Sequence, residues 1–196
     1  MGPGMLREEE IVKLLSSGER KIIRDQSLKL SAVNIPMFVK DDEYHILLTR
    51  RSFKVSSHKG QISFPGGKFH PGEDADLMET AMRETEEEVG IRMTDQRILG
   101  GLDDLRTHSS GYIISPFVGT FPYPYDFKLN SFEVNEVILV PLAVLLDKKN
   151  YKEKVWLIQG EPYNAYLYRY GDNIIWGATA RILKHFLGLL RTIIPN

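Results

Sequence analysis

The sequence contains no cysteine and carries almost no net charge. Its 196 residues include 25 lysines and arginines and 26 aspartates and glutamates, which gives a formal net charge of -1. Without cysteine, disulfides and thiolate chemistry are excluded. The balance of charge and the lack of a basic stretch argue against a surface for nucleic acid.

The sequence also lacks a long apolar run. None of its apolar segments approaches the roughly 20 residues that a membrane span requires. The start, MGPGMLREEE, does not have the pattern of a signal peptide. We therefore expect a cytoplasmic protein that has no membrane partner.

Helical and strand-like patterns alternate along the chain and predict one mixed α/β domain over residues 1–196. Helices are expected at about 6–17, at 74–89, where Gly90 supplies the C-terminal stop, and at about 174–190. Strand-like segments occupy 28–39, 43–51, 61–67, 97–102, 112–121, 134–140, 155–158 and 165–170. In the last helix the side chains expected to face the core are Trp176, Thr179, Leu183, Phe186 and Leu190.

The helix predicted at 74–89 concentrates acidic side chains near its C-terminal end. Glu84, Glu87 and Glu88 are spaced i, i+3 and i+4, so they fall within one sector of about 100°. Their repulsion and the negative end of the helix dipole are both unfavourable there. A solvated face is the ordinary explanation, but a bound Mg²⁺ or Mn²⁺ ion would offset both effects. The neighbouring stripe expected to pack on the sheet is Met78, Ala81, Met82, Thr85 and Val89.

Together with the glycines before it, this helix resembles the box of the Nudix hydrolase family, G-x5-E-x7-R-E-U-x-E-E-x-G-U, where U is apolar. The matching residues are Gly67, Arg83, Glu84, Glu87, Glu88, Gly90 and Ile91. The box then covers about 67–91, and Thr85 stands where an apolar residue is usual. The resemblance implies a Nudix-type α/β/α sandwich with a mixed β-sheet between helices. It also implies hydrolysis of a nucleoside diphosphate linked to another group, with Mg²⁺ or Mn²⁺ as cofactor.

The same resemblance implies roles for the residues of the box. Glu84, Glu87 and Glu88 are expected to be metal ligands, together with the backbone carbonyl of Gly66. Arg83 is expected to orient these carboxylates. Bound ions would neutralise phosphoryl oxygens and lower the pKa of an attacking water.

Two assignments stay open at this level. The general base is either Glu87 or one of the downstream pair, Glu133 and Glu136, of which we take Glu136 as the catalytic candidate; loop solvation is the ordinary explanation of that pair. The loop acid of the box is either Glu73 or Asp74, because the loop before the helix is two residues longer than the family pattern.

The upstream segment LLTRRSFKVSSHKGQISFPGG resembles the extra motif of the coenzyme A pyrophosphatase branch of the family. The matching residues are Leu47, Leu48, Thr49, Arg51, Ser52, His58, Gly60, Gln61, Ile62, Ser63 and Phe64. Val55 is a conservative replacement, whereas Ser56 replaces a basic residue, for which Arg50 and Lys54 are candidates to compensate. The candidate substrate-binding residues are Arg50, Arg51, His58, Gln61 and Ser63, with solvent exposure as the ordinary alternative.

This second resemblance implies a small nucleotide substrate, coenzyme A or a derivative, cleaved to adenosine 3′,5′-bisphosphate and 4′-phosphopantetheine. The alternatives are another diphosphate such as ADP-ribose, NADH or a dinucleoside polyphosphate, and a nucleotide-sensing module without catalysis. The apolar segment PLAVLL permits a homodimer. His108 has no spaced partner for a metal and is interpreted as a surface histidine.

Overall fold

The computed structural model describes residues 6–107, 110–158 and 161–194. His108, the predicted surface histidine, lies outside the described residues. Within those ranges, no helix is both long enough and apolar enough to span a membrane.

Helices and strands alternate along the described chain. The helices are α1 (Glu8–Ser16), α2 (Leu77–Val89), α3 (Leu142–Leu146) and α4 (Gly177–Leu190), with short 3-10 turns at Met93–Asp95 and Lys148–Asn150. The strands are β1 (Lys29–Lys40), β2 (Glu43–Arg51), β3 (Ile62–Ser63), β4 (Gly66–Lys68), β5 (Arg97–Gly101), β6 (Leu105–Arg106), β7 (Tyr112–Thr120), β8 (Val134–Pro141), β9 (Tyr151–Ile158), β10 (Glu161–Tyr170) and β11 (Asn173–Ile175). The sequence did not predict α3, β6 or β11, which are short and have no clear periodicity.

β1 is the centre of a mixed sheet. It pairs in parallel with β7 over residues 29–37 and antiparallel with β2 over residues 37–40. The strand order is β3-β2-β1-β7-β5, and β8, β4 and β6 add to β2, β1 and β7 respectively. β9, β10 and β11 form a separate antiparallel sheet. The parallel pair makes the main sheet mixed, as the family resemblance implies.

Side chains of β2 alternate between the two faces of this sheet. Leu47 belongs to a buried cluster with Val89 at the end of α2. Ile46 and Leu48 belong to a larger buried cluster on the other face, which includes Phe186 of α4. Helices therefore cover both faces, which confirms the predicted α/β/α sandwich.

The ends of α2 are set by two residues of special type. The helix begins after Asp76, whose carboxylate accepts a hydrogen bond from the N–H of Glu79 at 2.8 Å. It ends at Gly90, which has the left-handed conformation with φ 79°. The predicted stop is confirmed, and the start is later than predicted because Asp76 is the cap.

The buried face of α2 differs in one place from the predicted apolar stripe. Met78 is 39% exposed, so its assignment to the stripe was wrong. In the first turn it is Thr80 that turns inward, because its hydroxyl donates to Asp74 at 2.9 Å. Ala81 and Thr85 are fully buried, as predicted.

The start of the last helix was also predicted wrongly. Residues 173–175 pair with β10 as a strand, and α4 begins only at Gly177. Trp176, which was predicted to lie in the core, is 46% exposed, whereas Ile175 beside it is fully buried. Because residues 173–175 pair as a strand, Ile175 points into the core and Trp176 is left exposed. The helical periodicity of the sequence does not predict this pairing.

We predict that Gly90→Ala destabilises the protein by about 1–3 kcal/mol, because alanine is strained in the left-handed conformation. Its β-carbon would also lie 2.8 Å from the backbone nitrogen of Lys128. Chemical denaturation at neutral pH measures the change. The control is Gly188→Ala, inside α4, where a β-carbon meets nothing within 4 Å; it should be neutral or slightly stabilising. Equal effects of the two changes would contradict the account of this helix end.

Candidate active site

The strand before α2 lies so close to its neighbours that its first two positions, Gly66 and Gly67, have no room for side chains. β4 pairs with β1 through Gly66 opposite Val33 and Gly67 opposite Ala32. A β-carbon on Gly67 would lie 2.3 Å from the carboxylate of Glu84. A β-carbon on Gly66 would lie 2.3 Å from the carbonyl oxygen of Ala32. Gly67 therefore lets the β4 backbone approach the acidic side of α2, and Gly66 lets it lie close to β1.

Arg83 is bonded to the carboxylates on both sides of it. Its Nη1 donates to Oε1 of Glu84 at 3.0 Å and to both carboxylate oxygens of Glu87 at 3.2 Å. Its Nε and Nη2 donate to the two oxygens of Asp74 at 2.7 and 3.2 Å. These bonds, chiefly the one to Asp74, raise the pKa of Arg83 above its ordinary value. The arrangement is the one that the predicted orienting role of Arg83 requires.

Of the two candidate loop acids, Asp74 is the partner of Arg83. Asp74 is only 5% exposed and also accepts from the N–H of His70 and the hydroxyl of Thr80, each at 2.9 Å. The bond to Arg83 is the main reason that the pKa of Asp74 lies well below its usual range. Glu73 has an exposed side chain that lies 3.2 Å from the ring of His70.

The carboxylate of Glu88 is buried among other acidic groups. Glu88 is 3% exposed, and burial raises its pKa to about 8. The positive charge of Arg51 opposes this shift, whereas Glu84 and Glu133 add to it. Burial also raises the pKa of Glu84. A cation at this place would relieve both the burial penalty and the repulsion.

Three of the predicted substrate-binding residues lie on the sheet face that α2 covers. Thr49 lies two residues from Leu47 and therefore shares its face. Ser63 is opposite Thr49 in register, and its hydroxyl lies 3.5 Å from that of Thr49. Gln61 follows on the same side, where its carbonyl accepts from the N–H of Arg51 at 2.9 Å. Arg51, Gln61 and Ser63 thus lie on one side of the sheet, and the charge of Arg51 acts on the buried Glu88.

Arg50 and Glu136 lie on the other face. They are opposite each other in the β2–β8 pair and form an ion pair through Nε of Arg50. Nη2 of Arg50 donates to the side chain of Asn173 in β11, and Nη1 donates to the carbonyl of Gly60 at 3.4 Å. The structure therefore separates these two residues from the acidic side of α2. Their predicted roles, substrate contact and general base, stay predictions.

Glu133 is nearer to the buried acids than Glu136. Its negative charge acts on both Glu84 and Glu88. Its carbonyl accepts from the N–H of Ser52 at 2.7 Å, which joins the loop before β8 to the end of β2. Of the downstream pair, Glu133 has the position that a base acting beside α2 needs.

His58 lies in the loop between β2 and β3. Its backbone is left-handed, with φ 57°, and its Nδ1 lies 2.9 Å from Oε1 of Gln61. Its carbonyl accepts from the N–H of Gln61 at 3.1 Å. His58 thus orders this loop, whereas a contact with substrate stays a prediction.

Comparison with known proteins identifies the family. The NUDIX domain family model matches residues 29–159. The chain belongs to the Nudix family. The Photorhabdus laumondii protein described as "Uncharacterized Nudix hydrolase NudL" is 38% identical over 153 residues, which are 78% of this chain and 80% of that protein. A Yersinia pestis protein of the same description is 39% identical over 155 residues, 79% of this chain and 76% of that protein.

A solved structure agrees with this assignment at the level of the fold. The crystal structure of a MutT/nudix family protein from Enterococcus faecalis has a TM-score of 0.55 at 13% identity. The match covers 95% of this chain and 75% of that chain. The protein is therefore a Nudix hydrolase, an enzyme that acts on a pyrophosphate-bearing substrate. Neither NudL description names a substrate, so the coenzyme A branch stays a prediction.

Nudix hydrolases generally use divalent metal ions, and the donors here have suitable chemistry. Glu84 and Glu88 offer the carboxylate oxygens that hard dications favour as ligands. Burial raises the pKa of both groups, and a bound dication would favour their ionised forms. The carboxylate of Glu87 instead accepts hydrogen bonds from Arg83, and the Glu87 side chain is 55% exposed. In the described part of the chain, no three acidic or histidine side chains are grouped closely enough to hold an ion. The predicted set, with the carbonyl of Gly66, is thus not preassembled and stays a prediction.

Sequence reasoning missed two contacts of this Nudix site. Asn173 binds Arg50 although the two are far apart in the chain, and only the β10–β11 hairpin brings them together. Thr80 binds Asp74 through a hydroxyl that sequence periodicity assigns no role. An available signal was the capping position of Asp76, which leaves Asp74 before the helix and free to bind Arg83.

We predict that Asp74→Asn lowers the free energy of unfolding by about 2–4 kcal/mol at pH 7, because the mostly buried Arg83 loses the most buried of its three carboxylate partners and the one with its shortest hydrogen bond. The pKa of Asp74 is depressed in the folded state, so its contribution is complete above the unfolded value near 4 and is lost as pH falls below that value. Urea unfolding at pH 7 and at pH 3 measures both effects.

The matched control is Glu73→Gln in the same loop. Its exposed carboxylate should change the free energy of unfolding by less than about 0.5 kcal/mol at either pH. A larger loss for Glu73→Gln than for Asp74→Asn would reverse the assignment of the loop acid.

Proposed function

We propose that this Nudix hydrolase cleaves the pyrophosphate of coenzyme A or a derivative. The observation that carries the hydrolytic part is the buried Glu88, whose pKa is raised to about 8 beside Glu84 and Glu133. Such a group of acids is unfavourable in the free protein and becomes favourable when a dication and a pyrophosphate share the site. Burial raises the pKa of Glu88 although Arg51 opposes the shift, and a carboxylate perturbed in this way beside other acids is a candidate for function.

The choice of coenzyme A rests on the segment between β2 and β4. Its likeness to the coenzyme A branch includes Arg51, Gln61 and Ser63, which lie together on the α2 side. The replacement of a basic residue by Ser56 weakens this choice. Arg50 and Lys54 do not compensate freely, because Arg50 is bound to Glu136 and the ammonium of Lys54 donates to the carbonyl of Ser131 at 3.4 Å. A second candidate is therefore another nucleoside diphosphate, such as ADP-ribose.

The reaction is hydrolysis of a phosphoanhydride. A water oxygen adds to one phosphorus, the bridging P–O bond breaks, the leaving phosphate departs as an anion, and the proton of the water passes to a carboxylate. A Mg²⁺ or Mn²⁺ ion, held by Glu84, Glu87, Glu88 and the carbonyl of Gly66, would supply charge neutralisation and an acidified water. Arg83 keeps two of these carboxylates in position. A cytoplasmic location and a homodimer remain expectations of the sequence.

Incubation of the protein with coenzyme A and Mg²⁺ or Mn²⁺ tests the proposal. Chromatography should detect adenosine 3′,5′-bisphosphate and 4′-phosphopantetheine in equal amounts. The kcat/KM for coenzyme A should be higher than the kcat/KM for ADP-ribose, NADH or a dinucleoside polyphosphate. If one of those is cleaved and coenzyme A is not, the second candidate replaces the first.

Glu84→Gln should lower kcat by roughly 100-fold or more, because it removes a charged oxygen ligand while keeping the shape of the side chain. Steady-state kinetics with coenzyme A and Mg²⁺ gives the value. The matched control is Glu86→Gln on the exposed side of the same helix, which should keep kcat within about threefold. Wild-type turnover by Glu84→Gln would remove the basis of the proposed metal site.

The position of Glu133 predicts that it, more than Glu136, accepts the proton of the attacking water. Glu133→Gln should lower kcat by roughly 100-fold or more and abolish the acid limb of the pH–rate profile. Glu136→Gln breaks the ion pair with Arg50 on the other face and should leave that limb in place. The pH dependence of kcat for both variants is the measurement. Loss of the limb in Glu136→Gln alone would show that the opposite face takes part in the chemistry.

A further inference from the structure

Two phenylalanines, in the loops next to Arg51 and Glu133, are exposed to solvent. Phe53 is 67% exposed and Phe132 is 60% exposed. Large apolar side chains normally gain free energy by burial, so an exposed pair in neighbouring loops offers apolar surface that a ligand could cover. The site described above assigns neither ring a role.

Backbone and side-chain bonds bring the two phenylalanines into adjacent loops. The N–H of Ser52 donates to the carbonyl of Glu133 at 2.7 Å, and the ammonium of Lys54 donates to the carbonyl of Ser131 at 3.4 Å. Phe53 lies between the residues of one loop that make these bonds, and Phe132 lies between those of the other. The two bonds therefore hold the two ring-bearing segments side by side.

The same loops lead directly to the buried carboxylates. Phe53 is two residues beyond Arg51, and Phe132 directly precedes Glu133; the charges of both Arg51 and Glu133 act on Glu88. A substrate whose pyrophosphate lies at Glu88 therefore has its next chemical groups within reach of these loops.

One end of the Phe53 ring packs against Gly60. A β-carbon on Gly60 would lie 3.0 Å from Cζ of the Phe53 ring, and its φ of +69° is one that favours glycine. Glycine at this position leaves room for the end of the ring to rest on the loop backbone. One end of the ring thus packs on the loop backbone, while most of its surface stays exposed.

We propose that Phe53 and Phe132 form an aromatic contact for the adenine ring of the substrate. This inference rests on the proposed function, which supplies an adenine nucleotide at the site. Every nucleobase is a rigid aromatic ring that stacks on aromatic side chains, whereas the pantetheine arm is a flexible chain without an aromatic ring. The two rings therefore recognise the nucleotide half of the substrate, and their contribution is to binding rather than to bond cleavage.

The test uses Phe53→Ala, Phe132→Ala and the double variant in steady-state kinetics with coenzyme A. KM should rise roughly five- to 100-fold in the double variant, the range expected for loss of base stacking, while kcat falls by less than about threefold. The inhibition constant of adenosine 3′,5′-bisphosphate should rise by a similar factor, and that of 4′-phosphopantetheine should stay within about twofold. Phe53→Trp should keep KM near the wild-type value, because it keeps an aromatic ring at this position, whereas Phe53→Leu should raise KM.

The matched control is Leu157→Ala, which removes a side chain that is 75% exposed on β9 in the other sheet. It should leave KM and both inhibition constants unchanged, and thermal melting of all variants shows that they fold. Unchanged KM in the double variant overturns the inference, as does a rise confined to 4′-phosphopantetheine or a loss of kcat alone.

Failure of the proposed function is recognised separately. If the wild type cleaves another adenine-containing diphosphate instead of coenzyme A, the proposed substrate is wrong, and the same variants are measured with that substrate and with AMP as inhibitor. A higher KM and a higher AMP inhibition constant then support the aromatic contact. Unchanged values overturn it.

Discussion

The hydrogen bonds of one guanidinium, that of Arg83, hold the acidic site in its arrangement. Arg83 binds Asp74 in the loop before α2 and also binds Glu84 and Glu87 on the helix, so it fixes loop and helix to each other. Its charge offsets the repulsion between carboxylates at the negative end of the helix dipole. Glu88 has a different counter-charge, Arg51, which comes from β2. The acidic side chains of α2 are therefore offset by two arginines, Arg83 on the helix itself and Arg51 on β2. Because of these two positive charges, the helix tolerates a group of carboxylates that would otherwise repel each other.

Alternation along β2 divides the upstream motif between two environments. Arg51 faces α2 and acts on the buried carboxylate, whereas Arg50, the next residue, binds Glu136 and Asn173 on the opposite face. The motif thus has a second use, since Arg50 joins β2 to β8 and to the hairpin that leads into α4. Two adjacent arginines with the same chemistry therefore act on opposite sides of the sheet, Arg51 on the buried Glu88 and Arg50 in the contacts between strands.

Much of this could be predicted because it is local. The bounds of β2, the stop of α2 at Gly90 and the acidic side of α2 follow from neighbouring residues and their spacing. Trp176 and Met78 were placed wrongly because helical periodicity cannot show that a strand pairs at Ile175 or that Thr80 turns inward to Asp74. The choice between Glu73 and Asp74 stayed open for the same reason. Arg83 decides it by binding Asp74, which lies before the N-cap of α2, and the spacing of residues does not show where that cap lies.

The sequence by itself determined the family, the α/β order of elements and the residue types of the site, because these depend on short motifs and on periodicity. Only the tertiary structure decided which carboxylates are buried, which arginine meets which acid, and which of two downstream glutamates lies beside α2. These properties depend on desolvation and on distances between residues far apart in the chain. Such distances are set by strand register and by the packing of α2 on the sheet, and they exist only once the chain has folded.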